Sequence, residues 1–189
     1  MVLAGGRSTR FGDADKLAAP LEGIPLLHHA ILRVAEVADD VVVVLAPGVD
    51  ASGLPPGVRV AHDPTEGEGP LAGLHAGISA VGVAEIVLIV GGDMPDLQPA
   101  VLREMLRVAG ESGADAVALA DGGRPRPLPV VLRVGPATEA AHGLLHDGRR
   151  RLRDLVDALQ TAVIDEATWI ALDPERRTLR DVDEPGDLA

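Results

Sequence analysis

The chain contains no cysteine, which excludes disulfides, thiolate metal sites and a cysteine nucleophile while leaving the redox compartment open. Aromatic residues are almost as scarce. One Phe, one Trp and no Tyr are set against a hydrophobic content of 47%, so the interior must be built from aliphatic layers. Positive charge is also in short supply: 17 Lys and Arg face 29 Asp and Glu, for a net charge of −12. That balance repels a phosphate backbone, and few aromatic platforms remain for stacking bases, so a nucleic-acid partner is not expected. No apolar run approaches the roughly 20 residues that span a bilayer, so no membrane association is expected. The first residues, Met1-Val2-Leu3-Ala4-Gly5-Gly6, carry no basic region ahead of an apolar stretch, which predicts a cytoplasmic protein.

Short apolar runs alternate with helical periodicity along the 189 residues, a length suited to one domain spanning 1–189. Met1–Leu3, Val41–Leu45, Val58–Ala61, Ile86–Val90, Ala116–Leu119, Val130–Leu132 and Ala162–Ile164 read as strands. Leu26–Val37, Leu71–Val81, Pro99–Ala109, Ala137–Leu145 and Leu152–Leu159 carry apolar residues three and four apart, the spacing of helices. This alternation predicts an α/β three-layer sandwich with helices on both faces of a sheet that is mainly parallel. Uninterrupted runs such as Val41–Val44 are what a strand covered on both faces requires. The Pro-rich segment Pro127–Leu132 is expected to be an edge or antiparallel addition. Gly and Pro clusters at 46–57, 65–70 and 122–129 punctuate the chain, each too short for an interdomain linker.

After the first strand comes Gly5-Gly6-Arg7-Ser8-Thr9-Arg10, leading to Lys16. Glycines let backbone N–H groups approach anionic oxygens, and three cations add charge-assisted donors, so the segment is a candidate polyphosphate loop. The alternative is a tight turn with solvated charges. Lys16 is the only lysine of the chain, and a compact ammonium reaches between phosphate oxygens in a way that planar guanidinium does not. Neither the Gly-Lys-Ser/Thr ending of a P-loop nor Gly-x-Gly-x-x-Gly is present.

A second constellation is Gly91-Gly92-Asp93-Met94-Pro95, where an apolar strand ends in a carboxylate. Ligands of open α/β sheets bind beyond the carboxyl ends of strands, and a carboxylate there suits Mg²⁺ bound to a triphosphate. Asp93 is therefore a candidate metal ligand, with a turn aspartate capping the following helix as the competing reading. Asp183, near the C-terminus, is a candidate second ligand on the same grounds, or an N-cap ahead of Pro185. Asp63, before Pro64, reads on its own as a turn residue. Arg149-Arg150-Arg151 and Arg153 form a cationic run that suits either an anionic substrate or a solvated helix face. His28 and His29 point about 100° apart on a helix and are read as packing or surface residues, not joint metal ligands.

Taken in order, Leu3–Lys16, Leu21–His29, Gly69–Leu74, Gly92–Pro95, Arg124–Leu128 and Asp183–Leu188 resemble the molybdenum cofactor guanylyltransferase family. That family lies within the Rossmann-like NTP transferases that share the nucleotide-diphospho-sugar transferase type of fold. The resemblance implies transfer of GMP from GTP to molybdopterin, with Mg²⁺ as cofactor. It implies GTP and molybdopterin as small-molecule partners and allows molybdoenzyme-maturation proteins as macromolecular ones. It implies that Leu3, Ala4, Gly5, Gly6 and Arg7 hold the nucleotide, with Asp63 and Gly73 at further nucleotide positions. Lys16 would contact the nucleotide's phosphates and, with Arg10, stabilise them, and Asp93 would both contact the nucleotide and, joined by Asp183, bind the metal. Two departures point elsewhere. Val44-Leu45-Ala46-Pro47 lacks the asparagine that often follows the second strand of the family, and Asp183 stands where the guanylyltransferases commonly have asparagine. The acidic form resembles the related cytidylyltransferases. A non-catalytic nucleotide-binding module is the rival from another class.

Overall fold

The computed structural model describes residues 1–5, 16–64 and 67–188. Strand β1 (Val2–Ala4) is followed by a 3-10 turn (Lys16–Ala18), a small hairpin of β2 (Pro20–Leu21) and β3 (Ile24–Pro25), then α1 (Leu26–Ala35). Next come β4 (Val42–Leu45), β5 (Arg59–His62), α2 (Pro70–Ala80), β6 (Ile86–Gly91) and α3 (Pro99–Ser112). The chain continues through β7 (Ala116–Asp121), β8 (Arg124–Arg133), α4 (Val134–His146), α5 (Leu152–Ala158), β9 (Thr161–Ile164) and α6 (Glu166–Leu172). Two further 3-10 turns, Arg177–Leu179 and Pro185–Leu188, close it. All seven expected strands and all five expected helices form, with ends displaced by up to a few residues except in the lengthened β8.

The main sheet has the order β5-β4-β1-β6-β8-β7-β9. Neighbours are parallel except β8, which runs antiparallel to both β6 and β7. The two-residue period of the strands sorts their side chains between two layers. Val2, Val43, Leu45, Leu88, Val90, Val117 and Val131 face α1, α3 and Trp169 of α6. Met1, Val44, Val87, Ile89, Ala118, Val130 and Leu132 face α2, α4 and α5. Burial on both faces explains why these strands read as unbroken apolar runs. Among the described residues no helix is long and apolar enough to cross a membrane.

Three details add to or depart from expectation. The Pro-rich strand is antiparallel but sits inside the sheet, not at its edge. It tolerates proline because β6 pairs only with Val130–Arg133, leaving Arg124–Pro129 beyond the last β6 partner, where no ladder donor toward β6 is needed. The glycines of the 122–129 cluster form a tight turn, a detail that the cluster's composition leaves open. Gly122 and Gly123 have φ of 59° and 75°, the pair of left-handed residues that a tight two-residue hairpin demands, and the chain re-enters the sheet at Arg124. The third is α6, which lacks a long apolar period. It is started by Asp165, whose carboxylate accepts from the Thr168 amide at 2.8 Å, and it inserts Trp169, fully buried.

Candidate functional site

The chain leaves β1 toward α1 and β4 on one side, then returns through β5 and α2 to place β6 on the other side of β1. The carboxyl ends of β1 and β6 therefore flank a topological switch point, the usual place for a ligand in such sheets. Leu3 pairs with Gly91, and the Leu3 carbonyl accepts from the Gly92 amide at 2.9 Å. A Cβ on Gly92 would lie 2.9 Å from Leu27 Cδ1 and 3.2 Å from the Leu3 carbonyl oxygen, so glycine allows the two strand ends to close together. On Gly91 a Cβ would meet Asp93 Oδ1 at 2.4 Å. The missing side chain leaves room for the carboxylate to fold back over the strand end.

Lys16 reaches this point from its 3-10 turn. Ala19 donates to the Lys16 carbonyl at 3.2 Å, and the first amide of α1, Leu26, donates to the Ala19 carbonyl at 2.9 Å. The β2–β3 hairpin between them turns through Glu22 and Gly23, with φ of 51° and 87°. His29 Nε2 lies 2.8 Å from the Leu21 carbonyl oxygen, holding this hairpin to α1, in keeping with its reading as a packing residue. From this anchored base the Lys16 ammonium donates to Asp93 Oδ2 at 2.9 Å and to Asp183 Oδ1 at 3.4 Å. The lysine side chain is 9% exposed, whereas Asp93 and Asp183 are 34% and 55% exposed. Both acidic side chains are thus partly exposed, whereas the lysine between them is buried.

The tail is pinned against β6 from two directions. The Val182 amide donates to the Asp93 carbonyl at 2.9 Å. The amides of Asp183 and Glu184 both donate to Asp187 Oδ2 at 2.9 Å. These backbone donors, Asp183 first, hold the Asp187 carboxyl below its ordinary pKa. Arg180 Nη1 adds an ion pair to Asp96 at 2.7 Å. Asp187 is the positioning residue that sequence reasoning missed. Its signal was an acid four places after Asp183 in a Pro-Gly turn.

The structure also removes the helix-cap reading of Asp93. Helix α3 begins at Pro99 with Gln98 as its N-cap, so Asp93 does not cap it, and its carboxylate is engaged by Lys16. Asp63 is buried at the end of β5, its amide donating to the Leu45 carbonyl at 2.9 Å. A Cβ on Gly73 of α2 would lie 3.5 Å from Asp63 Oδ2, which places these two predicted positions together beside β4. Gly5 adjoins the same strand end, a Cβ there falling 3.6 Å from the Ala46 nitrogen. Leu3, Ala4, Gly5, Asp63, Gly73, Lys16, Asp93 and Asp183 thus all lie at the carboxyl end of β1, β4, β5 and β6 or against it. Gly6, Arg7 and Arg10 lie outside the described residues.

The cationic run is a joint between α4 and α5. Arg149 pairs with Asp154 at 2.5 Å, Arg150 Nη1 donates to the Leu145 carbonyl at 2.9 Å, and the Arg150 carbonyl accepts from Leu71 at 3.3 Å. Arg151 and Arg153 are exposed.

Among the described residues, no group of three or more His, Asp or Glu is arranged as a closed metal cage. Two converging, partly exposed carboxylates suit a cation that takes most of its remaining ligands from phosphate and water, as Mg²⁺ does.

A family model described as the MobA-like NTP transferase domain matches residues 1–163. A probable molybdenum cofactor guanylyltransferase of Natronomonas pharaonis is 32% identical over 200 residues, covering 100% of this chain and 93% of that protein. Another, of Mycobacterium avium, is 32% identical over 191 residues, covering 100% of this chain and 91% of that protein. Among solved structures, the molybdopterin-guanine dinucleotide biosynthesis protein A of Archaeoglobus fulgidus has a similar fold, with a TM-score of 0.80 at 21% identity over 99% of this chain and 93% of that one. The 2-C-methyl-D-erythritol 4-phosphate cytidylyltransferase of Thermus thermophilus follows with a TM-score of 0.70 at 17% identity, over 99% of this chain and 93% of that one.

Proposed function

The chain belongs to the MobA-like NTP transferase family, and on that premise we propose that it transfers GMP from GTP to the phosphate of molybdenum-loaded molybdopterin. The products are pyrophosphate and molybdopterin guanine dinucleotide. The observation that carries this reading is the convergence of Lys16, Asp93 and Asp183 beside Gly91 and Gly92, where the end of β6 meets β1. Full-length likeness to proteins named guanylyltransferases supplies the choice of nucleotide and acceptor.

In the proposed reaction, an oxygen of the acceptor phosphate attacks the α-phosphorus of GTP in line. A P–O bond forms as the bond between the α-phosphorus and the bridging oxygen breaks, and the electron pair leaves with pyrophosphate. Leu3, Ala4 and Gly5 hold the nucleotide through their backbone, while Asp63 and Gly73 border it on the α2 side. Lys16 turns its ammonium from the two carboxylates to the phosphate oxygens and neutralises charge that grows on the leaving group. Arg7 and Arg10 share that work from the loop after β1. Asp93 and Asp183 are the residues that would hold Mg²⁺, and the ion would supply Lewis-acid neutralisation of phosphate charge. No side chain forms a covalent bond to substrate, in keeping with the absence of a Gly-x-Ser-x-Gly elbow or a His-Glu-x-x-His helix in the sequence.

One observation favours a second reading, transfer of CMP. Ala46 stands beside Gly5 where a base-recognising side chain is absent, and the tail presents Asp183 in the acidic form. Pyrophosphate release with Mg²⁺ and molybdenum-loaded molybdopterin, measured separately with GTP, CTP, ATP and UTP, tests both. GTP-selective release is expected. CTP-selective release would move the function to cytidylyl transfer, and NTP binding without release would leave a nucleotide-binding module.

A further inference from the structure

Arg126 carries a polar group that the site described so far does not use. Its Nε is buried and makes no hydrogen bond among the described residues. Its Nη1 lies 3.7 Å from Asp121 Oδ2, a loose contact with a carboxylate whose other oxygen is held by Arg176 at 2.5 Å. The side chain is 33% exposed although its Nε is buried, so contact with a ligand falls to the terminal Nη1 and Nη2. These paired donors form a fork that matches two oxygens of one phosphate group.

The sheet puts this fork on a particular flank. Because β8 runs antiparallel to β6 and their last pair is Ile89 with Val130, residues 124–129 continue toward the end of β6 that carries Gly92 and Asp93. The 3-10 turn Arg177–Leu179 packs on β8, bringing the tail that holds Asp183 to the same side. Pro125 and Pro127 flank Arg126 and restrict φ on either side of it. The proposed nucleotide positions Leu3, Ala4, Gly5, Asp63 and Gly73 lie on or just after β1 and β5 and on α2, and β1 and β5 are on the opposite flank of β6 in the strand order. In-line transfer needs nucleophile and leaving group on opposite sides of the α-phosphorus, so the acceptor phosphate must arrive from the β8 flank. Among the described residues, Lys16 is already shared between two carboxylates, and a chain of net charge −12 needs a cation there to receive a dianion.

We propose that Arg126 anchors a phosphate-monoester subsite on the β8 flank of Asp93, the place where the acceptor phosphate is held before transfer. The assignment rests on the transferase reading for its biological ligand, but the subsite can be tested without turnover.

The full chain and its Arg126→Gln and Arg126→Lys variants are titrated calorimetrically with phenyl phosphate in saturating Mg²⁺ and GTP, and each is followed by thermal unfolding. Arg126→Gln is expected to weaken phenyl phosphate binding by about tenfold or more, since a charge-assisted fork is lost, while GTP affinity stays within about twofold of the parent. Arg126→Lys restores part of the binding because charge returns without the bidentate geometry. In pyrophosphate-release kinetics the same loss appears in KM for molybdopterin and not in KM for GTP. Unchanged phenyl phosphate binding in Arg126→Gln overturns the proposal, as does a loss of GTP affinity equal to the loss of phosphate affinity. Arg126-dependent phenyl phosphate binding in a parent protein that releases no pyrophosphate with any NTP would retain the subsite and reject the transferase reading.

Discussion

The backbone of Val182 is hydrogen-bonded to that of Asp93, amide to carbonyl at 2.9 Å, and this contact fixes where the tail crosses the end of β6. It sets Asp183 one residue further on, within 3.4 Å of the Lys16 ammonium that Asp93 also binds. The three charged groups therefore form one unit, assembled from the beginning, the middle and the end of the chain.

Replacing Lys16 tests that unit. Lys16→Ala is expected to lower kcat/KM by about a hundredfold to a thousandfold, the range seen when a preorganised transition-state donor is removed. Lys16→Arg is expected to recover little, because a planar fork does not fit between Asp93 and Asp183 as a point charge does. Steady-state pyrophosphate release checks both variants, with circular dichroism to confirm folding. Wild-type turnover in either variant would remove Lys16 from the machinery.

The two carboxylates are expected to be unequal. Asp93 stands on the rigid end of β6, whereas Asp183 is the more exposed and is held through Asp187. Asp93→Asn should abolish most activity at every Mg²⁺ concentration. Asp183→Asn should raise the Mg²⁺ concentration needed for half-maximal rate and keep measurable turnover when the metal is saturating. A magnesium titration of initial rates distinguishes them, and identical curves for Asp183→Asn and the parent protein would exclude Asp183 as a ligand.

Acid should loosen the tail through Asp187. Its carboxyl titrates below the ordinary value of 3.8 because the Asp183 and Glu184 amides donate to it. The folded pKa is thus lower than the unfolded one, so the stabilisation is complete above 3.8 and is lost as pH falls through the folded value. Asp187→Asn, which keeps an acceptor oxygen but removes the titration, should flatten this component of the acid unfolding curve. Superimposable curves for variant and parent would show that Asp187 contributes nothing.

Two glycines in helices should respond to alanine with opposite sign. On Gly77 a Cβ would stand 2.3 Å from Met1 Sδ and 2.5 Å from Val44 Cγ2, so α2 approaches β4 only because that side chain is missing. Gly77→Ala is expected to destabilise by about 1–3 kcal/mol through overpacking. At Gly110 of α3 a Cβ would meet nothing within 4 Å, and Gly110→Ala should stabilise by roughly 0.5–1 kcal/mol through helix propensity and unfolded-state entropy. Urea denaturation of the pair measures both. Equal effects would mean that propensity outweighs the close approach.

Trp169, the only tryptophan, offers the readout. It is fully buried, donates from Nε1 to the Ala120 carbonyl at 2.8 Å, and lies under the Arg176 guanidinium, 5.2 Å from the ring centroid. Its emission should be blue-shifted in the native state and move to the red in one transition as urea unfolds the chain. Trp169→Phe should cost about 1–3 kcal/mol, chiefly from leaving the Ala120 carbonyl without its partner. An emission maximum already at the solvent position in the native protein would contradict this burial.

Local chemistry and periodicity were enough to read most of this molecule. Val42–Leu45 and Ile86–Gly91 are apolar throughout because both of their faces are covered, and helices such as α1 and α3 announce themselves by apolar spacing, so the layered α/β architecture followed from the sequence. The glycine-to-lysine segment and the Gly-Gly-Asp strand end likewise marked Lys16 and Asp93, since phosphate and metal chemistry restricts residue type. Only the tertiary structure decided that β8 enters the middle of the sheet, because the absence of a β6 partner for residues 124–129 depends on where the β6–β8 pairing ends and leaves no local trace. Only it decided that Asp93 is not a helix cap, that Asp187 positions Asp183, and that Arg126 belongs to the flank opposite the nucleotide positions. Each is a relation between segments far apart in sequence, created when sheet order and backbone hydrogen bonds bring strand ends together, and no periodicity within a single segment encodes it.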